Sequence, residues 1–173
     1  MIVVVAGVAG SGKTTVGERL ARRLGWQFAD GDSFHPAANV AKMEAGLALD
    51  DADRQPWLAA IGAWMDGIIA SGQSAALACS ALKRRYREEL LAGRDEAVMI
   101  FLSISAEQDA ARVAARKDHF FHAPLLASQF AALEPPAPDE ERVYPVTTSE
   151  APADRVVNEI IELLKIQPAA GAK

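Results

Sequence analysis

The sequence predicts an α/β fold in which a parallel sheet is covered by helices on both faces. Short apolar runs without alternation, such as residues 2–6 (IVVVA), are typical of strands buried on both sides. Longer segments with apolar residues at helical spacing separate these runs, and such alternation favours a parallel sheet. The 173 residues contain no internal repeat and no sharp change of composition. We therefore expect one domain over residues 1–166, followed by a flexible tail at 167–173.

The individual elements follow in order along the chain. After the first strand, Val16, Leu20 and Leu24 recur at helical spacing, and Gly25 is placed to end that helix. Pro56 is predicted to open a long helix, because proline is favoured at the first helical position. Further strands are predicted at 26–29, 75–79, 98–102 and 143–146. Further helices are predicted at 38–45, 84–92, 106–115, 124–133 and 152–164.

Composition narrows the range of partners. The formal net charge of −5 argues against a nucleic-acid partner, because binding a phosphate backbone requires a basic surface. The single cysteine, Cys79, excludes an intramolecular disulfide and a multi-cysteine metal site. No apolar run approaches the roughly 20 residues needed to span a bilayer, so no membrane partner is expected. Residues 1–9 lack the basic segment of a signal peptide, so we expect a cytoplasmic protein.

A phosphate-binding motif follows the first strand. Residues 7–14 (GVAGSGKT) match G-x-x-x-x-G-K-[ST], in which glycines let backbone N–H groups point at phosphate oxygens. Lys13 is expected to reach the β- and γ-phosphates, and the Thr14 hydroxyl to ligate Mg²⁺. A glycine-rich turn with an idle lysine is the alternative. The motif lies between a buried strand and a helix, as it requires, and so predicts nucleotide binding, with ATP as the default. The motif alone does not separate kinases from GTPases, ATPase motors or nucleotide-binding modules. The residues expected to bind the nucleotide are Gly7, Gly10, Ser11, Gly12, Lys13, Thr14 and Thr15.

Two carboxylates follow the second predicted strand. In a doubly wound sheet the carboxyl end of that strand faces the ligand crevice, which places Asp30 and Asp32 beside the phosphate motif. One carboxylate can hold a water of the Mg²⁺ shell, while the other accepts the proton of an attacking hydroxyl. A plain turn is the alternative interpretation, because Asp and Gly favour turns for local backbone reasons.

An ordered series of residues extends along about residues 2–160. It comprises residues 30–36 (DGDSFHP), Asn39, 51–58 (DADRQPWL), 79–83 (CSALK), 86–87 (YR), 115–121 (ARKDHFF) and 128–130 (SQF). The series resembles the gluconokinase family, which is similar in fold to shikimate and nucleoside monophosphate kinases. The resemblance implies a three-layer P-loop NTPase fold with a five-stranded parallel sheet in the order 2-3-1-4-5. It also implies a mobile lid at about 112–130, a homodimer, and phosphorylation of D-gluconate to 6-phospho-D-gluconate.

The resemblance assigns roles to residues on the acceptor side. Asp32 is expected to be the base for the acceptor hydroxyl, and Asp30 an outer-shell partner of Mg²⁺. Arg54 is expected to bind the substrate carboxylate, since a guanidinium forks onto a carboxylate with two parallel hydrogen bonds. The alternative for Arg54 is an ion pair with a neighbouring acid, which would be Asp50, Asp51 or Asp53.

Three more residues are expected near the same substrate. His35 is predicted to hydrogen-bond the sugar-acid chain, with closure of the turn before Pro36 as its alternative. Lys83 follows the end of the third strand beside the crevice, and Arg87 lies one helical turn further on. Both are predicted to face the anionic substrate.

Two arginines belong to the expected lid. Arg112 and Arg116 are four residues apart and would share one helix face. By the resemblance, Arg112 stacks on adenine and Arg116 stabilises the transferring phosphoryl group. An ordinary surface helix is the alternative. His119 and His122 have no evident third ligand nearby, so no zinc site is expected.

Rival functions remain open at this stage. One is a kinase of the same fold that acts on another small hydroxy acid. Another is a nucleotide-binding regulatory module without catalysis, against which the presence of Lys13, Thr14, Asp32 and Arg116 argues. A nucleic-acid-dependent ATPase is disfavoured by the net charge and by the lack of an aromatic stacking platform.

Overall fold

The computed structural model describes residues 1–104, 123–148 and 152–167. The predicted helix at 106–115, Arg112, Arg116 and most of the predicted tail lie outside these ranges. The domain and lid boundaries therefore stay predictions.

Five parallel strands in the described part of the chain form one sheet in the order β2-β3-β1-β4-β5. This order is the one that the resemblance implies. β5 lies at the edge and pairs only with β4, so Pro145 is tolerated there although it has no N–H to donate. The strands are β1 (Ile2–Ala6), β2 (Gln27–Asp30), β3 (Ala75–Ala78), β4 (Ala97–Ser103) and β5 (Val143–Thr147).

Helices lie on both faces of this sheet, as the sequence predicts. Side chains of β1 alternate between two cores: Ile2 packs with Trp57 and Ile61 on one face, and Val3 packs with Leu20 and Val156 on the other. The described helices are α1 (Lys13–Leu24), the 3₁₀ helix η1 (Gly31–Phe34), α2 (Ala37–Glu44), α3 (Asp51–Ala70), α4 (Arg84–Leu91), α5 (Ala123–Ala132) and α6 (Ala153–Leu163). None of them is long and apolar enough to cross a membrane.

The start of α3 differs from the prediction. The helix begins at Asp51 and not at Pro56, which lies inside it. Asp50 caps the helix: its side chain accepts the Asp53 N–H at 2.8 Å, and the Asp53 side chain accepts the Asp50 N–H at 2.8 Å. This reciprocal capping box satisfies two N–H groups at the helix start and sets the boundary one turn before the proline. As a result, Arg54 lies near the N-terminus of α3.

Candidate active site

The phosphate-binding motif connects β1 to α1 and depends on glycine at two positions. A Cβ atom at Gly7 would lie 2.7 Å from the Leu102 carbonyl oxygen of β4, so the loop and the strand could not approach as they do. Gly12 caps α1 with a φ of 97°, in the region that favours glycine. These two glycines let the loop turn tightly into the N-terminus of α1, where backbone N–H groups favour anions.

Side chains brace the interior of this loop. Ser11 is buried, and its hydroxyl donates to the Val8 carbonyl oxygen at 2.9 Å. The Lys13 ammonium group also donates to that oxygen, at 2.8 Å. Thr148, directly after β5, donates to the Ser11 carbonyl oxygen at 3.4 Å. Two bonds within the loop thus converge on the Val8 carbonyl, and a third connects the loop to the residue that follows β5.

Thr14 and Asp30, the two residues predicted to hold Mg²⁺, contact each other. The Thr14 hydroxyl donates to Oδ2 of Asp30 at 3.1 Å, while Oδ1 of Asp30 accepts the Asp32 N–H at 3.0 Å. Hydroxyl and carboxylate oxygens are ligands that Mg²⁺ accepts. The donor chemistry of this pair therefore fits the predicted metal.

A cleft beside the loop brings together four of the predicted residues: Lys13, Asp32, His35 and Arg54. They come from the loop, η1, the segment after η1 and α3. The remaining lining residues are Ala9, Met43, Ala48, Leu49, Trp57, Ser80, Ser128 and Gln129. Cationic, acidic and apolar groups thus meet in one cleft next to the phosphate loop.

Arg54 contacts backbone carbonyls and not the neighbouring acids. Its guanidinium donates to the carbonyl oxygens of Leu49 at 2.5 Å and Asp50 at 3.4 Å. The acids that might pair with it bind other cations. Lys42 lies 2.5 Å from Asp53, and Lys83 lies 2.8 Å from Asp51. Arg54 therefore brings a positive charge to the cleft wall.

His35 is held against α3. Its ring stacks on Trp57 with centroids 4.6 Å apart and planes 8° apart, and its Nδ1 lies 3.3 Å from Nδ2 of Asn39. Burial, and then the charge of Arg54, lower the pKa of His35 from 6.5 to about 4. The imidazole is therefore neutral at pH 7.

The carbonyl of Gly31 links η1 to α3. It accepts the indole N–H of Trp57 at 2.7 Å. A Cβ atom at Gly31 would lie 2.6 Å from the Ala78 carbonyl oxygen, so glycine is needed for β2 and β3 to approach here. Because Asp32 follows Gly31 directly, the hydrogen bond between Gly31 and Trp57 helps to set the position of Asp32 relative to His35 and Arg54.

Arg87 is buried in this structure and is not among the residues that line the cleft. Its side chain is fully buried. Nε donates to Oε2 of Glu140 and Nη2 donates to Oε1, both at 2.7 Å. Nη1 donates to the carbonyl oxygens of Leu82 and Glu134. The turn spacing places Arg87 on the buried face of α4, and its predicted contact with the substrate stays a prediction. Its hydrogen bonds hold the segment that precedes β5.

Lys83 and the cleft are separate in this structure. The ammonium group of Lys83 pairs with Asp51, whose carboxylate also contacts Arg85 and the Tyr86 hydroxyl. Lys83 is not among the residues that line the cleft. Its predicted contact with the substrate stays a prediction.

Sequence reasoning missed two residues of the site. Oε1 of Gln129 accepts the backbone N–H of Ala9 at 2.7 Å, and Asn39 bonds both His35 and the Asp53 carbonyl. Both belong to the ordered series described above, yet nothing local indicates their roles. Ser128 and Gln129 are the polar residues of an otherwise apolar α5, and this was the local signal for Gln129.

Comparison with known proteins agrees with this geometry. A family model described as shikimate kinase matches residues 9–165. Gluconokinase of Gluconobacter oxydans (strain 621H) is 46% identical over 159 residues, covering 92% of this chain and 88% of that protein. The crystal structure of a sugar kinase from Janibacter sp. HTCC2649 has a TM-score of 0.88 and 40% identity, covering 97% of this chain and 96% of that one. A gluconokinase from Sinorhizobium meliloti 1021 has a TM-score of 0.83 and 40% identity, over 94% and 90%.

The fold and the phosphate loop define a P-loop kinase of the shikimate kinase type. Structures of shikimate kinases themselves are 18% and 19% identical to this chain, which shows a shared fold alone. The identity to gluconokinases is much higher and extends over nearly the full chain, so it distinguishes between the two kinase families. The chain belongs to the gluconokinase family.

Proposed function

We propose that this protein transfers the γ-phosphoryl group of ATP to D-gluconate, forming 6-phospho-D-gluconate and ADP. The observation that carries the proposal is the cleft in which Lys13 of the phosphate loop meets Asp32, His35 and Arg54. These groups suit a phosphate, a hydroxyl to be deprotonated and a carboxylate, and the relatives of this chain are gluconokinases.

The phosphate loop and the N-terminus of α1 bind the nucleotide. Backbone N–H groups around Gly10, Ser11 and Gly12 hold phosphate oxygens, and Lys13 neutralises charge on the β- and γ-phosphates. Thr14 and Asp30 would hold Mg²⁺, the latter through water. When bound, Mg²⁺ stabilises negative charge on the phosphate oxygens.

Residues of η1 and α3 bind and deprotonate the acceptor substrate. Asp32 follows β2 at the carboxyl edge of the sheet, and its carboxylate takes the proton of the attacking hydroxyl. Arg54 binds the carboxylate at the other end of gluconate, because its planar fork matches two carboxylate oxygens. His35 bonds an oxygen between them. The hydroxyl that reacts, at C6, follows from the resemblance to gluconokinases.

The remaining assignments rest on that resemblance. Arg116 is proposed to stabilise the transferring phosphoryl group, Arg112 to stack on adenine, and Lys83 to add positive charge near the acceptor. A lid over about residues 112–130, a homodimer and a cytoplasmic location complete the proposal.

The test is steady-state ADP release with Mg-ATP against a panel of acceptors: gluconate, shikimate, glycerate, other sugar acids and nucleoside monophosphates. Turnover with gluconate that Asp32→Asn abolishes, while ATP binding is retained, supports both the substrate and the base. Asp95→Asn is the matched control, since the Asp95 side chain is 99% exposed. Turnover with another acceptor alone would keep the kinase and reject gluconate. ATP binding without acceptor-dependent turnover would indicate a regulatory module.

A further inference from the structure

The orientation of the Asn39 amide is fixed by a backbone carbonyl. Asn39 lies in α2 with 4% of its surface exposed, and its Nδ2 donates to the Asp53 carbonyl oxygen in α3 at 2.7 Å. A carbonyl oxygen only accepts hydrogen bonds, so the amide atom that faces it is the nitrogen. A reversed amide would place two acceptors against each other in a buried position.

The same nitrogen determines which atom of the His35 ring carries the proton. Nδ2 of Asn39 has two hydrogens; one is directed to Asp53, and Nδ1 of His35 lies 3.3 Å from the nitrogen. A protonated Nδ1 would place two donors against each other, so the contact favours an Nδ1 that carries a lone pair and accepts from Nδ2. In a neutral imidazole the proton is then on Nε2.

The surroundings of the ring favour the neutral form. One face stacks on Trp57, and the cationic Arg54 lies on the neighbouring turn of α3. Lys13 and Asp32 line the same cleft from the phosphate loop and η1. Burial is the main cause of the lowered His35 pKa, and the charge of Arg54 acts in the same direction.

We propose that Asn39 is a positioning residue that holds His35 in the Nε2–H tautomer, so that His35 offers a hydrogen-bond donor to an oxygen of the acceptor substrate. The identity of that substrate as a sugar acid rests on the proposed function, whereas the tautomer does not. A substrate hydroxyl that donates its hydrogen to a carboxylate still has lone pairs on its oxygen. The Nε2–H group of His35 can donate to one of these lone pairs. A ring free to exchange tautomers would present an acceptor part of the time.

The first test is ¹⁵N NMR of the full chain with labelled histidine. The chain has three histidines, and His35→Gln identifies the signal of His35 by its loss. We expect Nε2 of His35 to be protonated and Nδ1 to be unprotonated between pH 8 and pH 5. In Asn39→Asp, a carboxylate facing Nδ1 should draw a proton to that nitrogen. A wild-type ring protonated at Nδ1, or a pattern that Asn39→Asp leaves unchanged, would overturn the proposal.

The second test compares two substitutions of His35. A glutamine amide reaches the position of Nε2, whereas an asparagine amide reaches only that of Nδ1. We expect His35→Asn to raise KM for gluconate about tenfold more than His35→Gln does, the effect of roughly one hydrogen bond, with the two variants alike in KM for ATP. The reverse order would contradict a donor at Nε2. If the wild type turns over no gluconate, the proposed function fails, and the NMR result still decides the tautomer.

Discussion

The backbone N–H of Ala9 donates a 2.7 Å hydrogen bond to Oε1 of Gln129, although the two residues are 120 positions apart. Ala9 is the third residue of the phosphate loop, and Gln129 lies in α5 beside Ser128, on the wall of the cleft. With Oε1 accepting, the NH₂ group is the remaining donor of this carboxamide. Gln129 therefore connects the phosphate loop to the helix that follows the predicted lid arginines.

Replacing Gln129 should impair turnover more than stability. Gln129→Leu removes the partner of the Ala9 N–H at the border between nucleotide and acceptor, and we expect kcat to fall about tenfold, the effect of losing one well-placed hydrogen bond. Steady-state kinetics and thermal unfolding measure the two effects. Gln55→Leu, at an exposed position of α3, is the control. An unchanged kcat would show that the bond has no part in turnover.

Asp30 should determine the Mg²⁺ requirement. Asp30→Asn removes the charge beside the Thr14 hydroxyl, and such partners of metal ligands typically contribute about 10–100-fold to metal affinity. We expect the Mg²⁺ concentration for half-maximal turnover to rise at least about tenfold, with recovery at high Mg²⁺. A magnesium titration of the wild type and of Asp95→Asn provides the reference. Equal half-maximal concentrations would argue against Asp30 as a partner of the metal.

Arg54→Lys should weaken binding of the acceptor while leaving ATP binding intact. Lysine keeps the charge but loses the planar fork that bonds both oxygens of a carboxylate. We expect KM for gluconate to rise about tenfold and KM for ATP to change less than about twofold. Arg22→Lys, exposed on α1, is the matched control. An equal rise in both KM values would place the role of Arg54 outside acceptor binding.

The Arg87–Glu140 ion pair should be a determinant of stability and not of substrate affinity. Glu140→Gln leaves the buried guanidinium without its counter-charge, and we expect the free energy of unfolding at pH 7 to fall by about 3 kcal/mol. Urea denaturation measures this value. Glu141→Gln, at the exposed neighbouring position, should change little.

The same pair should contribute to acid sensitivity. The hydrogen bonds from Arg87 hold the pKa of Glu140 below 4.5, so the folded state binds this proton less readily than the unfolded state. The stabilisation is complete above the unfolded pKa and is lost as the pH falls through the folded value. Glu140→Gln should therefore flatten the decline of stability below about pH 4.5. A decline as steep as in the wild type would exclude this contribution.

Local patterns in the sequence were sufficient for most of the fold and for the position of the phosphate loop and the carboxylates beside it. The apolar run at Ile2–Ala6, the glycine spacing before Lys13 and the carboxylates after β2 depend on neighbours within a few residues. Such patterns report backbone conformation and burial directly. The start of α3 is also encoded locally, since Asp50 and Asp53 form a capping box, although Pro56 by itself predicts a later start.

Only the tertiary structure decided what Arg87, Gln129 and Asn39 do. The partners of Arg87 and Gln129 lie 53 and 120 residues away, and Asn39 joins two helices through a carbonyl 14 residues later. Helical spacing indicates which residues share a face, but whether that face meets solvent, a substrate or a buried carboxylate depends on how distant segments pack. The sequence by itself determined the phosphate loop and the sheet, whereas the packing of α2, α3 and α5 decided which of their side chains line the cleft.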